Sequence, residues 1–384
     1  MERQITLGDV IVPAKVLRCD NDDYPVLSMT MHDGIVLQSN RFKKSLASID
    51  QSNYKVVLRG QLVVGFPIDE GVIYVQNIAE AGIMSPAYGV WNIHSKEIMP
   101  EYLELCLHSP QSMDYYKNKL RGTTARRRSI TTGDLLALPI ILPSLTEQKR
   151  RIGLFRQTTL LLNSQKQAML KFDELVKSRF VEMFGDPVDN PMGWKMKPLM
   201  EMGYCKNGMN FHTGDSGIEV HCLGVGDFKD YSVIDGTEHL PTISLNEEPS
   251  EESMLRDGDI VFVRSNGNKD LVGRCVVVYS HDTPTTYSGF CIRYRLIGDE
   301  VRTSYLLRVL KADSMRKKMT GRGANIQNLN QQILASLNIP LPPIKFQEQF
   351  AAFISEVDKS KLAVKQSLEK LETLKKSLMQ KYFG

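Results

Sequence analysis

Toward the end of this chain the hydrophobic positions keep a strict beat. Phe350, Ile354, Val357, Lys361, Val364, Leu368, Leu371, Lys375, Leu378 and Tyr382 step by four and three residues in alternation, and only the two lysines interrupt the apolar seam. Side chains on that spacing share one helix face, and a heptad kept over about four and a half repeats predicts a coiled coil. A looser stripe runs earlier through Phe155, Leu162, Met169, Phe172, Val176, Phe180 and Met183, with polar Thr158 and Gln165 in the seam. A helix of roughly 38 residues rises about 57 Å, and neither helix can hide such a stripe alone. The two are each other's obvious partners, and a globular segment between them makes antiparallel pairing the easier geometry. Packing of each stripe on its own globular region is the competing arrangement.

Both stripes lie in a duplicated segment, 142–185 and 341–384. Leu142-Pro143 matches Leu341-Pro342, Gln148 matches Gln347, and Lys166-Gln167 matches Lys365-Gln366. Lys171 and Lys370, Leu175 and Leu374, Lys177-Ser178 and Lys376-Ser377, and Phe184-Gly185 and Phe383-Gly384 follow at one constant offset of 199 residues. A single offset across scattered identities marks an internal repeat. Outside the helices the period shortens. Apolar, β-branched runs at 5–16, 55–66, 72–75 and 89–93 predict strands, and 100–107 predicts a helix with Pro100 in its first turn. In the second half, strands are expected at 218–223, 259–264, 274–279 and 290–297, and a helix across 304–318. Leu58-Arg59-Gly60-Gln61-Leu62-Val63 resembles Leu255-Arg256-Asp257-Gly258-Asp259-Ile260-Val261, and Tyr102-Leu103 resembles Tyr305-Leu306. The expected architecture is mixed α/β (α+β). It has a globular domain at 1–141, a long helix at 142–185, a second globular domain at 186–340 that begins with a linker at 186–193, and a long helix at 341–384. The two long helices pack as an antiparallel coiled coil, giving a pseudo-twofold internal repeat shaped like a dumbbell.

Composition narrows the class without deciding it. With 42% hydrophobic and 24% charged residues in 384, the chain reads as an ordinary multidomain soluble protein. No apolar run approaches the roughly 20 residues that span a bilayer, and no signal peptide is visible at Met1-Glu2-Arg3-Gln4. Six scattered cysteines without a Cys-x-x-Cys pair predict reduced thiols in the cytoplasm. A net charge of +4 permits nucleic-acid binding without requiring it.

Catalytic constellations are mostly missing. Leu223-Gly224-Val225-Gly226 lacks the later Gly, Lys and Ser/Thr of a phosphate-binding loop and reads as a turn or strand end. The seven histidines show no metal-ligand spacing. Asn190-Pro191-Met192-Gly193 lacks the second Pro and the stacking ring of an amino-methyltransferase motif. Glu147-Gln148-Lys149 with Asp134 upstream fits the end of a nuclease motif, but it opens a helix, where an acid and a Gln have capping value. No catalytic residue and no metal site are assigned.

Loop chemistry points instead to nucleic acid. Thr123, Thr124, Arg126, Arg127 and Arg128 follow Gly122, and the matching place in the second half holds Arg322, Asn325, Gln327 and Asn328. Arg264, Asn266, Asn268 and Lys269 form a further cluster, and Arg41, Lys43 and Lys44 another. Arg, Asn, Gln and Thr bond phosphates and base edges, with Arg suited to guanine and Asn or Gln to adenine. A solvated charged loop is the plain alternative for each cluster taken singly. Their pairing at repeated positions favours DNA contact.

Taken together, these features resemble the specificity (S) subunit of Type I restriction–modification enzymes. The likeness covers the whole chain in the order globular domain, long helix, globular domain, long helix. It rests on Ser85-Pro86-Ala87-Tyr88, on Gly258-Asp259-Ile260-Val261 and on Leu271-Val272-Gly273-Arg274. It rests also on the helix openings Leu142-Pro143-Ser144-Leu145-Thr146-Glu147-Gln148 and Leu341-Pro342-Pro343-Ile344-Lys345-Phe346-Gln347, and on Phe184-Gly185-Asp186-Pro187 with Gly193-Trp194. Ser144 replaces the second Pro and Gln61 the usual Asp after the turn Gly. The resemblance implies two target-recognition domains that read the halves of a bipartite, asymmetric site in double-stranded DNA. It implies helices that act as a spacer ruler and as the docking platform for two methyltransferase (modification) subunits. Restriction/translocase subunits complete the full complex, with S-adenosylmethionine, ATP and Mg on the partner subunits and no cofactor or catalysis on this chain. The alternatives are a single-chain DNA methyltransferase or nuclease using the same domains, and a coiled-coil scaffold that binds no nucleic acid.

Overall fold

The computed structural model describes residues 2–19, 24–31, 33–41, 51–121, 128–212, 214–228, 232–320 and 328–384, with the side chains of Asn40 and Arg41 outside that description. Two helices of 40 residues each run through it, a central helix Leu145–Phe184 and a terminal helix Ile344–Phe383. By contact the chain groups into two units, 1–167 with 365–384, and 168–364. Each unit therefore takes one globular domain and part of both helices, a grouping that cuts across the linear order of the four segments.

In the first unit, strand Arg3–Thr6 pairs antiparallel with Pro139–Leu142 just before the central helix begins. Between them lies a four-stranded sheet in the order Ile11–Pro13, Gly89–Ile93, Leu62–Val64, Ile73–Val75. Alternation along these strands feeds two cores: Leu62, Ile73 and Val75 enter one, Val63 and Tyr74 the other. The run at 5–16 is not one strand. Asp9 accepts hydrogen bonds from the Thr6 amide at 2.7 Å and the Thr6 hydroxyl at 2.9 Å, which closes a 3-10 turn at Leu7–Asp9 before Ile11 resumes the strand.

The second unit repeats the closure, with Lys195–Pro198 antiparallel to Asn338–Leu341. Its main sheet has five strands in the order Gly203–Asn207, Cys291–Leu296, Asp259–Val263, Cys275–Tyr279, Val233–Asp235. A three-stranded sheet of Thr242–Leu245, Ile218–Leu223 and Thr285–Tyr287 lies beside it. The helix expected across 304–318 is two, Thr303–Lys311 and Asp313–Thr320, separated by extended Ala312. The break lets Leu306 and Leu310 from one helix and Met315 and Met319 from the other enter the same core, which a straight rod could not do.

Paired devices lock both units. Gln148 and Gln347 are wholly buried. The Gln148 side chain accepts from the Met99 amide at 2.8 Å and donates to the carbonyls of Glu97 and Pro143 at 2.7 and 2.9 Å. Gln347 does the same with the Arg302 amide at 2.9 Å and the carbonyls of Glu300 and Pro342 at 3.2 and 2.9 Å. Met99 and Arg302 are the N-caps of the helices Pro100–Leu107 and Thr303–Lys311, so each Gln satisfies an amide that its helix leaves unpaired. Tyr102 donates to the Ile141 carbonyl at 2.9 Å and Tyr305 to that of Pro340 at 2.8 Å. The turn glycines Gly60 and Gly258 share the left-handed conformation, with φ of 82° and 84°.

The seams run antiparallel within each unit. Phe383, at the end of the terminal helix, packs 5.8 Å from Phe155 near the start of the central one. In the second unit Phe180, near the end of the central helix, lies 5.6 Å from Phe350 near the start of the terminal one. Phe155, Leu162, Val176, Phe350 and Val357 are buried, while Met169, Phe172, Ile354, Val364, Leu368, Leu371 and Leu378 are half-buried. Lys361, which breaks the seam in sequence, reaches Asp173 at 2.6 Å. The helix ends also enter the domain cores, Phe155 and Phe383 in the first unit and Val176, Phe180, Phe184, Phe350 and Val357 in the second. Helix pairing and helix-on-domain packing, set against each other in the sequence reading, are both present.

Candidate nucleic-acid interface

The clearest assembly of candidate contacts is in the second unit. Strand Asp259–Val263 ends at Arg264, whose amide donates to the Phe290 carbonyl at 2.8 Å and whose carbonyl accepts from the Leu329 amide at 2.8 Å. Ser265 and Asn328 form an antiparallel bridge one residue further out. The polar loop at 264–269 and Asn328, far apart in sequence, therefore meet at one edge through main-chain bonds. Arg264 and Asn266 are half-buried, while Asn268, Lys269 and Asn328 are exposed. The side-chain oxygen of Asn266 accepts from the Asn268 amide at 2.8 Å, and that of Asn268 accepts from the Asp270 amide at 3.0 Å. Both oxygens help shape the loop, and the amide nitrogens beside them are donors. Arg322, Asn325 and Gln327 lie outside the described residues.

The first unit builds the corresponding edge differently. Arg121 and Ser129 bridge antiparallel, and the Arg128 carbonyl accepts from the Ile68 amide at 3.2 Å. The Arg128 guanidinium is engaged by Asp69 at 2.5 Å and Glu70 at 3.4 Å. Two carboxylates already meet its charge, so its first role is to tie this segment to the turn at Ile68–Glu70. Thr123, Thr124, Arg126, Arg127, Lys43 and Lys44 lie outside the described residues, as does the side chain of Arg41, which ends the short helix Gln38–Arg41. Beside the bridge is a cleft of about 820 Å³ lined by Gly65, Phe66, Ser85, Trp91, Ser129 and Thr132. In the register that matches Gly60 to Gly258, Phe66 stands at the repeat position of Arg264. The first edge is thus small and aromatic where the second is cationic and amide-rich.

Sequence reasoning missed two exposed rings in the second unit, one of them on this edge. Phe290, placed at the start of a strand, instead precedes the strand that begins at Cys291 and is 62% exposed, and Phe211 is 38% exposed. The signal was Ser288-Gly289 before an aromatic, a turn dipeptide that halts a strand pattern.

Residues weighed for catalysis serve structure. Glu147 binds Arg150 and Arg151, and Asp134 accepts from the Thr131 hydroxyl at 2.6 Å. The Asn190 side chain accepts from the Trp194 amide at 2.9 Å and donates to the Trp194 carbonyl at 2.8 Å, closing the linker turn. Val225–Asp227 is a 3-10 turn at a strand end. Burial pushes the thiols of Cys106, Cys205, Cys222 and Cys291 up to about 12, which suppresses the thiolate that nucleophilic chemistry needs. Among the described residues no group of three or more metal-binding side chains occurs, and no helix is long and apolar enough to cross a membrane.

Comparison with known proteins agrees with this picture. The family described as Type I restriction modification DNA specificity domain matches residues 228–374. That match covers well under half of the chain, and it is to the type I specificity domain that this stretch is similar. The StySPI specificity subunit of Salmonella potsdam is 27% identical over 320 residues, covering 75% of this chain and 65% of that relative. The chain thus spans just under two thirds of that curated protein's length. A solved chain from work on assembly and conformational transition of the type I R-M system superposes with a TM-score of 0.61 at 18% identity, covering 100% of this chain and 97% of its own. The type I restriction–modification S subunit from M. genitalium gives 0.53 at 14% identity, covering 100% and 96%. At those identities the two structures speak to the fold alone, which this chain shares with them.

Proposed function

We propose that this chain is the DNA sequence-specificity subunit of a type I restriction–modification complex and carries no catalysis of its own. Each globular domain reads one half of a bipartite, asymmetric duplex site, and the length of the paired helices sets the gap between half-sites. Two methyltransferase subunits dock on the helices, and restriction/translocase subunits join the full complex. S-adenosylmethionine, ATP and Mg belong to those partners. The observation that carries this reading is the edge where Ser265 bridges Asn328, so that one loop's Arg264, Asn266, Asn268 and Lys269 stand beside a polar residue from a distant segment. Such side chains position a duplex through phosphates and read it through base edges. Two half-sites read on one face fall about one helical turn, about 34 Å, apart.

The test is duplex binding by the purified chain across a salt series, with adenine-methylation mapping in a host carrying or lacking it. Expected are an affinity that falls steeply with salt and a bipartite motif that vanishes with the chain. Replacing Arg264 with Ala should relax the base preference in one half-site only. Methylation or cleavage of DNA by the chain unaided would instead make it an enzyme. Binding that ignores salt and sequence would leave a scaffold.

A further inference from the structure

We propose that Phe290 is a stacking wedge that enters the duplex at a base step within the half-site read by the second domain; this rests on the DNA-reading function proposed above. Among the described phenylalanines only Phe211, Phe290 and Phe346 are exposed, at 38%, 62% and 42%. Phe346 has a companion ring in Trp194 at 6.0 Å. Phe290 lies on the edge built by Arg264 and Ser265. Phe290 is held there by its own backbone. Its carbonyl accepts from the amides of Arg264 at 2.8 Å and Ser265 at 3.3 Å, and its amide donates to the Ser288 hydroxyl at 3.3 Å. The segment leading to Phe211 is tied alongside, because Met209 and Ser288 are bridged and the Gly289 amide donates to the Met209 carbonyl at 2.8 Å. A Cβ on Gly289 would displace the Asn210 side-chain oxygen, so the two segments run close together here.

Lone exposed apolar side chains are common and need no explanation. This ring differs in what surrounds it. Its backbone bonds directly to the loop that offers Arg264, Asn266, Asn268 and Lys269, with Asp270 as the loop's one acid. Cations and amides would grip the sugar–phosphate chain while an anchored ring presents a flat apolar face. Apolar wedges that unstack a base step bend the duplex and widen the wrapped surface, and base–aromatic stacking tolerates any base. The wedge would thus add affinity and local distortion, leaving base choice to the polar side chains.

The experiment uses the full chain and duplexes carrying the site found by methylation mapping, with 2-aminopurine placed at successive positions. Wild type should brighten 2-aminopurine severalfold at one step of one half-site. Phe290→Ala should abolish that signal and weaken binding about tenfold, Phe290→Trp should retain both, and Ile297→Ala, an exposed apolar residue off this edge, should change neither. Salt-sensitive binding by wild type with no bright position, or Phe290→Ala binding as wild type does, overturns the wedge and leaves the DNA-reading function standing. Absence of salt-sensitive binding by wild type overturns both.

Discussion

The two units use one geometry and opposite chemistry at the place where a helix end meets a domain. In the first, Arg151 is nearly buried, donates to Glu147 at 2.9 Å, pairs with Glu2 and lies 4.7 Å from the Tyr382 ring. The repeat-equivalent positions in the second are Phe350, Phe346, Trp194 and Met183, and Phe350 lies 5.5 Å from Phe184. At the turn after the left-handed glycine the exchange runs the other way. Gln61 accepts from the Leu58 amide at 2.8 Å and donates to the Asn92 side chain at 2.8 Å. Asp259 accepts from the Arg256 amide at 2.8 Å and takes Arg295 bidentately at 2.8 and 2.7 Å. What the repeat preserves is a backbone bond to be made and a volume to be filled. Ion pair, amide pair or aromatic cluster can each meet that need.

The sharpest way to break this comparison is at the buried charges. Asp259 is 1% exposed and neighbours both Arg293 and Arg295. Removing one partner of a buried pair strands the other, so Asp259→Ala should cost about 5 kcal/mol. Gln61→Ala at the equivalent turn should cost about 1–2 kcal/mol. The two tryptophans report separately, Trp194 in the second unit and Trp91 in the first. Denaturant unfolding of Trp91→Phe and Trp194→Phe chains would measure each cost, and equal losses would sink the distinction.

Next in size is the aromatic hub. Phe350→Ala empties a fully buried site among Phe180, Phe184 and Tyr305 and should cost about 4 kcal/mol in the second unit. Smaller again is the effect of Arg151→Met, which removes the first hub's guanidinium but keeps much of its volume. Its carboxylate partners Glu147 and Glu2 keep 28% and 49% solvent exposure, so no buried charge is stranded as it is beside Asp259, and the change should stay within about 1 kcal/mol near neutral pH. A loss as large as that of Phe350→Ala would mean that the charged hub has no apolar equivalent.

These contrasts also explain what could be read from sequence. The repeat and both seams were legible because Gln148 and Gln347, or Phe184 and Phe383, recur at one offset and the apolar beat spans many turns. The break at Ala312 was hidden, since the apolar spacing on either side continues and only the core decides that two short helices fit better than one. Arg128 read as a candidate DNA contact because Asp69 and Glu70, its partners, lie far away along the chain. The edge at Ser265 and Asn328 was legible as two polar clusters but not as one surface, for no local pattern encodes a bridge between them. Phe290 was absorbed into a strand by its hydrophobicity, and only its exposure separates it from the core.

The smallest effect is a pH dependence confined to the first hub. Hydrogen bonds from Arg150 and Arg151 hold the Glu147 carboxyl at about 2, below its ordinary 4.5. A depressed carboxyl stabilises the fold in full above its unfolded pKa and loses that contribution as pH falls through its folded value. Glu147→Gln should therefore weaken the first unit near neutral pH, and the gap from wild type should close between about pH 4.5 and 2. Phe346→Gln, the matching change in the second hub, introduces and removes no titrating group, so its cost should not follow that curve. The readout is Trp91 fluorescence in a Trp194→Phe chain for the first and Trp194 fluorescence in a Trp91→Phe chain for the second. A Glu147→Gln deficit that is unchanged at pH 2 would show that the carboxylate's charge contributes nothing, and the two hubs would then differ in shape alone.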